Sequence, residues 1–565
     1  SSQFCPRHRL SRPRTGSYLR LPGLDWRLLD QAAMGVRWAL TLLTPLLGVV
    51  VGQDLGFEQL WKSALDEVNS FCVKSTGRIP SWAHGDFIIP GVGQYEMGNR
   101  RFVDALDGFG KMHRFELREG EVCATYRMMA TGFYNNSKKE NTIASGLLFF
   151  ETDPPRHCPP YDPVCNLFSP SDNTFVNTIK HGGKLLSLTD SPYLLEMDPK
   201  SMSVIGKYQF DDNLQGKICY TASAHPHRHP RTGDWIDFVG NSNFISGATV
   251  RLFHVSESEP HARVGLADIA MSTAPYMHSF GLTEKYIVLP RMPVTLDTLA
   301  VLRKPMSEAF KELDVTSQDA SDNAFHVVPF DGGATKVRKL PLDQRLYYTH
   351  TVNTYENDTG IVIDLCTQTK NFFSSDGLML AELANKTARD SSSSRPVVKR
   401  FVLPFADGVP VTMEIISDPS SWTDFTKINP RYQGHRHCFY WGVQWFTDGK
   451  AFGSVAISKY DLCRGDAKRQ WYRPNWFPSE ASFLPPPDEN AAEDDGVLLF
   501  TALNGAEGNT YLMVVNASTM ETMSEVGPFP RIGFTTHGEF YPAGDFPRAS
   551  APAGATPKAA AHIVV

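Results

Sequence analysis

The alternation of apolar and polar positions from about Ser81 onward is typical of a protein built from strands and turns. Short apolar runs of strand length recur, and Asp-Gly pairs that favour tight turns separate several of them. These pairs are Asp107-Gly108, Asp331-Gly332, Asp407-Gly408 and Asp448-Gly449. Upstream, Leu55 to Val73 carries apolar residues at near-helical spacing and predicts a short helix.

One strand pattern recurs along the chain. Tyr193 to Ser203 (YLLEMDPKSMS) matches Tyr511 to Glu521 (YLMVVNASTME) in register, and weaker echoes begin at Leu252 and Ala456. Each copy predicts two outer strands joined by a turn at Asp, Asn or Ser. Widely spaced four-stranded units of this kind favour an all-β propeller, whose repeats bury one another's faces. A β-sandwich is the alternative, and the pattern does not fix the number of blades.

Two polar stretches interrupt the strands. Residues 384–395 (ANKTARDSSSSR) predict a mobile surface loop, and from about Phe546 the chain turns to Ala, Pro, Ser and Gly. We therefore expect one large domain over 53–545 and a disordered tail over 546–565.

The first 52 residues differ from the rest. Residues 1–33 carry scattered arginines without apolar periodicity and predict a disordered upstream read-through or presequence. Met34 is followed by a basic residue, a short apolar core and small residues near Gly52. This order is typical of a signal peptide over 34–52. The core is too short to span a membrane. We expect a secreted or lumenal protein, or a plastid protein with a secretory signal; an organellar transit peptide is the alternative.

Composition narrows the possible classes of protein further. The net charge of −6 over 565 residues gives no electrostatic reason to bind nucleic acid. Nine cysteines and no paired C-x-x-C pattern argue against a zinc domain, while Cys158 and Cys165 could close a small disulfide loop. Four glycosylation sequons fit a secretory compartment; they begin at Asn135, Asn357, Asn385 and Asn516.

Histidines supply the candidate chemistry. His225, His227 and His229 alternate in a proline-rich segment, and an extended backbone would point all three to one face, as in many metal sites. A polar loop that is merely rich in histidine is the alternative. Three further histidines lie next to strand-like runs or near the C-terminus, in Tyr276-Met-His278-Ser-Phe, Thr349-His350-Thr-Val-Asn353 and Thr536-His537-Gly-Glu-Phe540.

In this order, these segments resemble the carotenoid cleavage oxygenase family, which includes the retinoid isomerohydrolase of the retinal pigment epithelium. The resemblance covers roughly Pro80 to Pro542 and implies a seven-bladed β-propeller with a mostly helical cap over an axial metal. It implies one Fe(II) per chain, bound by His225, His278, His350 and His537, with no catalytic group beyond the metal centre. Neutral imidazoles leave an octahedral ferrous ion open positions for dioxygen.

The resemblance also implies three glutamates that anchor the second nitrogen of the ligand rings. Glu480 matches this pattern, whereas aspartates, Asp190 and Asp424, stand at the other two positions. A shifted backbone, a bridging water or a wrong alignment would each account for the shorter side chain, and ordinary turn carboxylates are the alternative. Of the remaining histidines, we expect His227 to hold its loop, His229 to be exposed, and His435 and His437 to be surface or packing residues.

An apolar substrate needs an aromatic tunnel, for which Phe133, Tyr276, Phe280 and Phe534 are candidates, although most aromatics are simply core. The apolar segment 143–150 could contact a membrane at the tunnel mouth or form a buried strand. We expect dioxygen-dependent cleavage of a conjugated double bond in a carotenoid or apocarotenoid, giving aldehyde or ketone products. The alternatives are a retinyl ester isomerohydrolase and a non-catalytic carotenoid-binding propeller. The sequence does not specify the carotenoid, the bond, or the oligomeric state.

Overall fold

The computed structural model describes residues 54–546, apart from positions 147, 157–160, 163–164, 167–171, 213–218, 244–246, 298, 315–321, 372, 374–377 and 466–468. The predicted segments 1–33 and 34–52, and the tail 546–565 except Phe546, lie outside the described residues, as does Cys158.

Seven antiparallel sheets of four or five strands follow one another along the chain. Sheet 1 contains β1 (Val68–Lys74), β2 (Gly85–Gln94), β5 (Phe109–Arg118), β6 (Glu121–Met128) and β35 (Glu539–Pro542). Sheet 2 contains β7 (Asn177–His181), β8 (Lys184–Thr189), β9 (Ser191–Met197) and β10 (Val204–Tyr208). Sheet 3 contains β11 (Cys219–Ala222), β12 (His227–Arg228), β13 (Trp235–Asn243), β14 (Gly247–Val255) and β15 (Arg263–Met271).

The later sheets repeat this plan. Sheet 4 contains β16 (Gly281–Leu282), β17 (Tyr286–Arg291), β20 (Ala324–Pro329) and β21 (Arg338–Pro341). Sheet 5 contains β22 (Tyr348–Glu356), β23 (Gly360–Thr367), β24 (Val398–Pro404) and β25 (Thr412–Ile415). Sheet 6 contains β26 (Trp422–Lys427), β27 (Phe439–Trp445), β28 (Ala456–Asp461) and β29 (Arg469–Trp471). Sheet 7 contains β30 (Trp476–Pro478), β31 (Ser482–Leu484), β32 (Val497–Asn504), β33 (Asn509–Asn516) and β34 (Thr522–Phe529).

The elements outside the seven sheets are short. Two small hairpins pair β3 (Glu96–Met97) with β4 (Arg100–Arg101) and β18 (Val294–Leu296) with β19 (Phe310–Glu312). The α-helices of the described residues are α1 (Gly132–Glu140), α2 (Met306–Ala309), α3 (Leu380–Ala384) and α4 (Lys386–Ser391). The 3-10 helices are Phe57–Trp61, Ser81–Ala83, Ala300–Leu302, Gly333–Lys336 and Pro430–Tyr432. In the part of the chain that is described, no helix has the length and apolar character needed to cross a membrane.

Sheet 1 closes the ring because it combines both ends of the domain. The C-terminal strand β35 pairs antiparallel with the early strand β2, so that Gly85 lies opposite Pro542 and Ile88 opposite Glu539. The fold is the expected seven-bladed β-propeller, and the repeats bury apolar side chains between neighbouring sheets. This closure brings the last strand beside the first sheet at the propeller axis.

The repeated pattern seen in the sequence corresponds to the same turn in two sheets. Asp198 directly follows β9 and Asn516 ends β33, each the second strand from one edge of its sheet, and each side chain accepts backbone N–H groups two and three residues later. Met202 and Met520 then take φ values of 59° and 64° and close the turn. The match between the two segments therefore reflects a shared turn that joins β9 to β10 and β33 to β34.

Two local predictions are wrong. Instead of one helix over Leu55 to Val73, the chain forms the 3-10 helix Phe57–Trp61 and then β1, because pairing with β6 and a disulfide between Cys72 and Cys123 favour the strand. Residues 384–395 are not a plain loop. Asn385 caps α4 by accepting a hydrogen bond from Ala388 N, and Arg389 of that helix forms an ion pair with the buried Asp54 at 2.6 Å.

Two buried histidines, His113 and His437, predict that the folded protein loses stability in acid. Burial, reinforced by the charge of Lys111, lowers the pKa of His113 from 6.5 to about 3, and burial with Arg400 lowers the pKa of His437 to about 3. The unfolded chain therefore binds more protons than the folded chain below pH 6.5, and stability falls from there toward pH 3. Each histidine contributes about 1.4 kcal/mol per pH unit well below 6.5.

We expect His113→Asn to reduce this pH dependence, since the amide can still donate to Ile89 O, the acceptor 3.0 Å from His113 Nδ1. Urea unfolding of wild type and variant at pH 7 and pH 5 measures the effect. The loss of stability between these pH values should be smaller in the variant by about 1–2 kcal/mol. An equal loss in both proteins would contradict the assignment.

Candidate metal centre

Four histidine side chains meet where the inner strands of four sheets begin. His225 lies in the turn between β11 and β12, His278 precedes β16, His350 is the third residue of β22, and His537 precedes β35. Their candidate ligand nitrogens all lie within 4.8 Å of one another. The propeller thus brings together residues that are more than three hundred positions apart in sequence, His225 and His537.

The Nε2 atoms form the centre of this group. Nε2 of His225 and His278 are 2.9 Å apart, His278 and His350 are 3.2 Å apart, and His350 and His537 are 3.2 Å apart. An ion with metal–nitrogen bonds of about 2.1 Å places neighbouring nitrogens of an octahedron roughly 3 Å apart. The spacing therefore fits adjacent positions around one transition-metal ion.

Carboxylates hold the other nitrogen of three rings. Nδ1 of His278 donates to Asp190 Oδ2 at 2.7 Å, Nδ1 of His350 to Asp424 Oδ1 at 2.6 Å, and Nδ1 of His537 to Glu480 Oε1 at 2.9 Å. With Nδ1 protonated, a neutral ring has its lone pair on Nε2. Three such lone pairs then face one point, where they could share one cation.

His225 is held differently. Among the described residues no carboxylate binds this ring, but its backbone N–H donates to Ser223 Oγ at 2.9 Å, and Ser223 Oγ donates to His278 O at 2.8 Å. Ser223 therefore joins the backbone of His225 to that of His278. This link fixes two of the four rings relative to each other.

Burial favours neutral, ligating imidazoles. Desolvation, with the neighbouring histidines, lowers the pKa of His225 and of His537 well below the usual 6.5. Burial acts in the same direction on His278, but the charge and hydrogen bond of Asp190 outweigh it and raise the pKa of that ring. Burial raises the pKa of Asp424, yet His350 and the hydrogen bonds to the carboxylate outweigh it and hold the pKa below its usual 3.8.

Each of the two aspartates has several other donors. Asp190 accepts hydrogen bonds from Tyr276 Oη at 2.8 Å and Ala224 N at 3.2 Å. Asp424 accepts from Phe425 N at 2.8 Å and, through its other oxygen, from Thr349 Oγ1 at 2.7 Å and Gln368 Nε2 at 3.1 Å. Both carboxylates therefore contact their histidine directly, at distances too short for a bridging water.

Comparison with known proteins places the chain in a family. Residues 61–542 match the sequence profile described as retinal pigment epithelial membrane protein, RPE65. The chain belongs to this family. Among curated relatives, a carotenoid isomerooxygenase of Galleria mellonella is 25% identical over 83% of this chain and 93% of its own length. A carotenoid cleavage dioxygenase 8 homologue of rice is 26% identical over 82% of this chain and 81% of its own length.

Solved structures support the same fold. The apocarotenoid oxygenase of Synechocystis, as a Glu150Asp mutant, aligns with a TM-score of 0.72 at 20% identity, covering 86% of this chain and 98% of that chain. A chimera of that oxygenase and RPE65 aligns equally well, with a TM-score of 0.72. The RPE65-family propeller is thus shared with proteins whose sequences differ at four of every five aligned positions.

Two cavities of this RPE65-family chain approach the histidines. One of about 480 Å³ has a mixed polar and apolar lining, which includes His225, His350 and His537, together with Lys427 and Glu539. The other, of about 40 Å³, is apolar and lies between sheets 6 and 7; among its lining residues are Phe57, Trp61, Phe425, Trp445 and Phe534. A volume of 40 Å³ holds only a few water-sized groups.

The four predicted tunnel aromatics occupy different places. Phe534 lines the apolar cavity and stacks on Trp61 at 4.9 Å, and Tyr276 contacts Asp190 beside the centre. Phe280 packs in the core, where its carbonyl oxygen accepts from His227 Nε2 at 2.7 Å. Phe133 packs in a separate core cluster against Phe109 and lines neither cavity.

Three of the remaining histidines are structural. His227 holds its loop, as expected, by donating to Phe280 O while its Nδ1 accepts from Gln433 Nε2 at 2.7 Å. His229 was expected to be exposed, but it is buried and lies 3.1 Å from Glu284 O, because the segment folds inward as β12. His437 is also buried, and its Nδ1 accepts from Asn353 Nδ2.

The segment 143–150 is neither a strand nor an exposed apolar surface in its described positions. Ile143 and Leu148 are buried, while Phe149 N and Phe150 N each donate to a carboxylate oxygen of Asp107 at 2.9 Å. The described apolar groups therefore face the protein, and membrane contact by this segment stays a prediction.

Sequence reasoning missed two residues of the site. Phe425 places its ring against those of His350 and His537, at centroid distances of 5.2 and 5.4 Å. Its backbone takes φ 50°, a conformation that is unusual for a bulky residue. Lys427 forms ion pairs with Glu480 and Glu539. Both follow Asp424 within three residues, and that proximity was the only available signal.

Proposed function

We propose that the chain is a non-heme Fe(II) oxygenase that cleaves one conjugated double bond of a carotenoid or apocarotenoid with dioxygen. The observation that carries the proposal is the convergence of four Nε2 atoms, three of them with Nδ1 anchored by a carboxylate. Four neutral nitrogen ligands suit a divalent transition metal and leave positions of an octahedron open. When bound, the ferrous ion supplies the activation of dioxygen.

The overall change is balanced. One carbon–carbon double bond breaks, and each of its two carbons receives one atom of dioxygen, which gives two carbonyl products. No proton or outside reductant is needed. The protein's residues therefore have to hold the metal, position one double bond beside it and exclude water.

Named residues account for these tasks. Asp190, Asp424 and Glu480 fix the tautomer and direction of three rings. Phe425 and Phe534 form an apolar wall on one side of the centre, where a conjugated chain can pack against aromatic faces and water is disfavoured. Relatives named for carotenoid cleavage, including the mouse β,β-carotene 15,15'-dioxygenase, support this substrate class.

The two alternatives differ in what they require. An isomerohydrolase would use the metal as a Lewis acid on a retinyl ester and would need no dioxygen. A binding protein would need no metal at all. The complete set of four converging rings and three anchoring carboxylates favours catalysis over binding.

Product analysis separates these possibilities. Purified protein is incubated with a panel of carotenoids, apocarotenoids and a retinyl ester, under air and under argon. We expect carbonyl products from a polyene under air only, with label from ¹⁸O₂ in both fragments when exchange with water is suppressed. Retinol formed from the ester at equal rates under air and argon would favour the isomerohydrolase. Unchanged substrates throughout would favour a binding protein.

We also propose that the chain folds in an oxidising compartment. Disulfides link Cys72 to Cys123 across β1 and β6, and Cys438 to Cys463 across β27 and β28. Stable disulfides are typical of secreted and lumenal proteins. This supports the predicted signal peptide over 34–52 with processing near Gly52 to Asp54.

Protein from the native cell tests this compartment. We expect a processed N-terminus and glycan at Asn135, Asn357 or Asn385, which are exposed. Asn516 should stay unmodified, because it is half-buried, unlike the other three. Mass spectrometry of intact and deglycosylated protein gives the answer. An unprocessed chain with reduced cysteines would contradict the proposal.

A further inference from the structure

Lys427 lies between the metal centre and the cavity of about 480 Å³. Its Nζ lies 2.8 Å from Glu539 Oε1 and 3.5 Å from Glu480 Oε2, and Glu480 holds the ring of His537. The side chain of Glu480 is 2% exposed and that of Lys427 is 24% exposed, whereas Glu539 is 41% exposed. The ammonium group therefore lies between a buried carboxylate and one that reaches solvent.

A bulge in β26 directs Lys427 to this place. Asp424 pairs with Val443 and Lys427 with Trp441, so three steps along β26 correspond to two along β27. In a regular strand, residues three apart point to opposite faces. The extra residue of the bulge, where Phe425 takes φ 50°, puts Asp424 and Lys427 on the same face. Both side chains therefore reach the axis from one strand.

The three anchoring carboxylates are held in different ways. Asp190 and Asp424 accept hydrogen bonds from neutral groups, namely a tyrosine, a threonine, an amide side chain and backbone N–H groups. Among the described residues, the oxygen of Glu480 that does not bind His537 accepts a hydrogen bond from Gly538 N, at 3.1 Å, and forms the ion pair with Lys427. Glu480 is thus the carboxylate held by a cation, and the longer glutamate side chain has more rotational freedom to restrain.

We propose that Lys427 is a positioning residue that holds Glu480 in place and, through it, the ring of His537 at the metal. The inference rests on the proposed metal site. Lys427 also balances charge: three buried carboxylates face four neutral imidazoles, and a divalent cation leaves one negative charge, which the ammonium offsets. Loss of Lys427 therefore weakens metal binding by releasing Glu480 and leaving its charge without a counter-ion.

Titration of Co(II) into the metal-free protein tests this role without depending on turnover. Loss of an outer partner of a metal ligand commonly weakens affinity by roughly 10–100-fold. We expect Lys427→Met to weaken Co(II) binding by about tenfold and to change the visible Co(II) bands, and Lys427→Arg to restore most of both. Lys459→Met is the matched control. It removes a buried lysine of sheet 6 that pairs with Asp494 outside the metal site, and it should leave affinity unchanged.

A double-mutant cycle shows whether Lys427 acts through Glu480. In a Glu480→Gln background, Lys427→Met should cost no further affinity. An equal further loss, or full affinity in Lys427→Met alone, would overturn the proposal. If the wild-type protein binds neither Co(II) nor Fe(II), the proposed function itself is wrong. That result differs from one in which wild type binds metal and only the role of Lys427 is wrong.

Glu539→Gln provides a second variant in case Lys427→Met does not fold. It leaves Lys427 paired with Glu480 alone, so Co(II) affinity should stay equal to or exceed that of wild type. A fall in affinity of about tenfold would show that the ion pair with Glu539 carries the effect, and would overturn the proposal.

Discussion

Alanine at His350 or His537 is expected to abolish both iron binding and cleavage. Each side chain supplies one of the four converging Nε2 atoms and is at least nine-tenths buried, so no other group can replace it. Its loss also leaves a carboxylate, Asp424 or Glu480, without the N–H that it accepts. We expect metal affinity to fall by more than the roughly 100-fold that loss of an outer partner can cost.

A matched control is available in sheet 3. His254 Nδ1 lies 3.1 Å from Asp234 Oδ2. This is an imidazole–carboxylate pair like those of the site, but neither residue belongs to the site. His254→Ala should keep full iron content and turnover. Iron and activity retained in His350→Ala or His537→Ala, measured by metal analysis and product formation, would show that the ring is not a ligand.

The second large effect is expected at the two aspartates. Asp190→Asn and Asp424→Asn should each weaken iron binding by roughly 10–100-fold, because a neutral amide is a poorer acceptor for the imidazole N–H. Their contacts of 2.7 and 2.6 Å to Nδ1 leave no room for a bridging water. Asp→Glu should therefore push the ring away from the metal and lower activity as well. Iron content and cleavage rate measure both changes.

Asp234→Asn, which alters the partner of His254, is the control for these variants. Normal iron content and rate in Asp190→Asn and Asp424→Asn would mean that these carboxylates are ordinary turn residues with no role in metal binding. That result would remove the aspartates from the site. Full or raised activity in the Glu variants would show instead that the backbone tolerates the longer side chain, and would contradict only the expected tight fit.

Local chemistry explains which parts of the fold the sequence predicts. Asp198 and Asn516 cap the same turn, and this shared requirement leaves a visible repeat. The strand β1 leaves no such trace, since its register depends on β6 and on the Cys72–Cys123 disulfide, both distant in sequence. The helix predicted there fails because tertiary pairing outweighs the local spacing of apolar residues.

The candidate site likewise contains residues that the sequence predicts and residues that it does not. The histidines and carboxylates lie in recognisable segments, so resemblance to a family is enough to select them. Lys427 and Phe425 owe their places to a bulge that no sequence motif marks, and Lys427 contacts Glu539 more than one hundred residues away. The small apolar cavity depends on how Trp61 of the N-terminal 3-10 helix packs on Phe534. Such contacts follow from three-dimensional packing and not from spacing.

Metal content and turnover, measured on one preparation, test whether the chain is an iron-dependent oxygenase. We expect about one iron per chain, carbonyl products from a polyene in proportion to iron content, and loss of both when iron is removed by chelation under argon. Readdition of Fe(II) should restore turnover in air. A protein that holds one zinc per chain and gains no polyene cleavage with Fe(II) and air would show that it is not such an oxygenase.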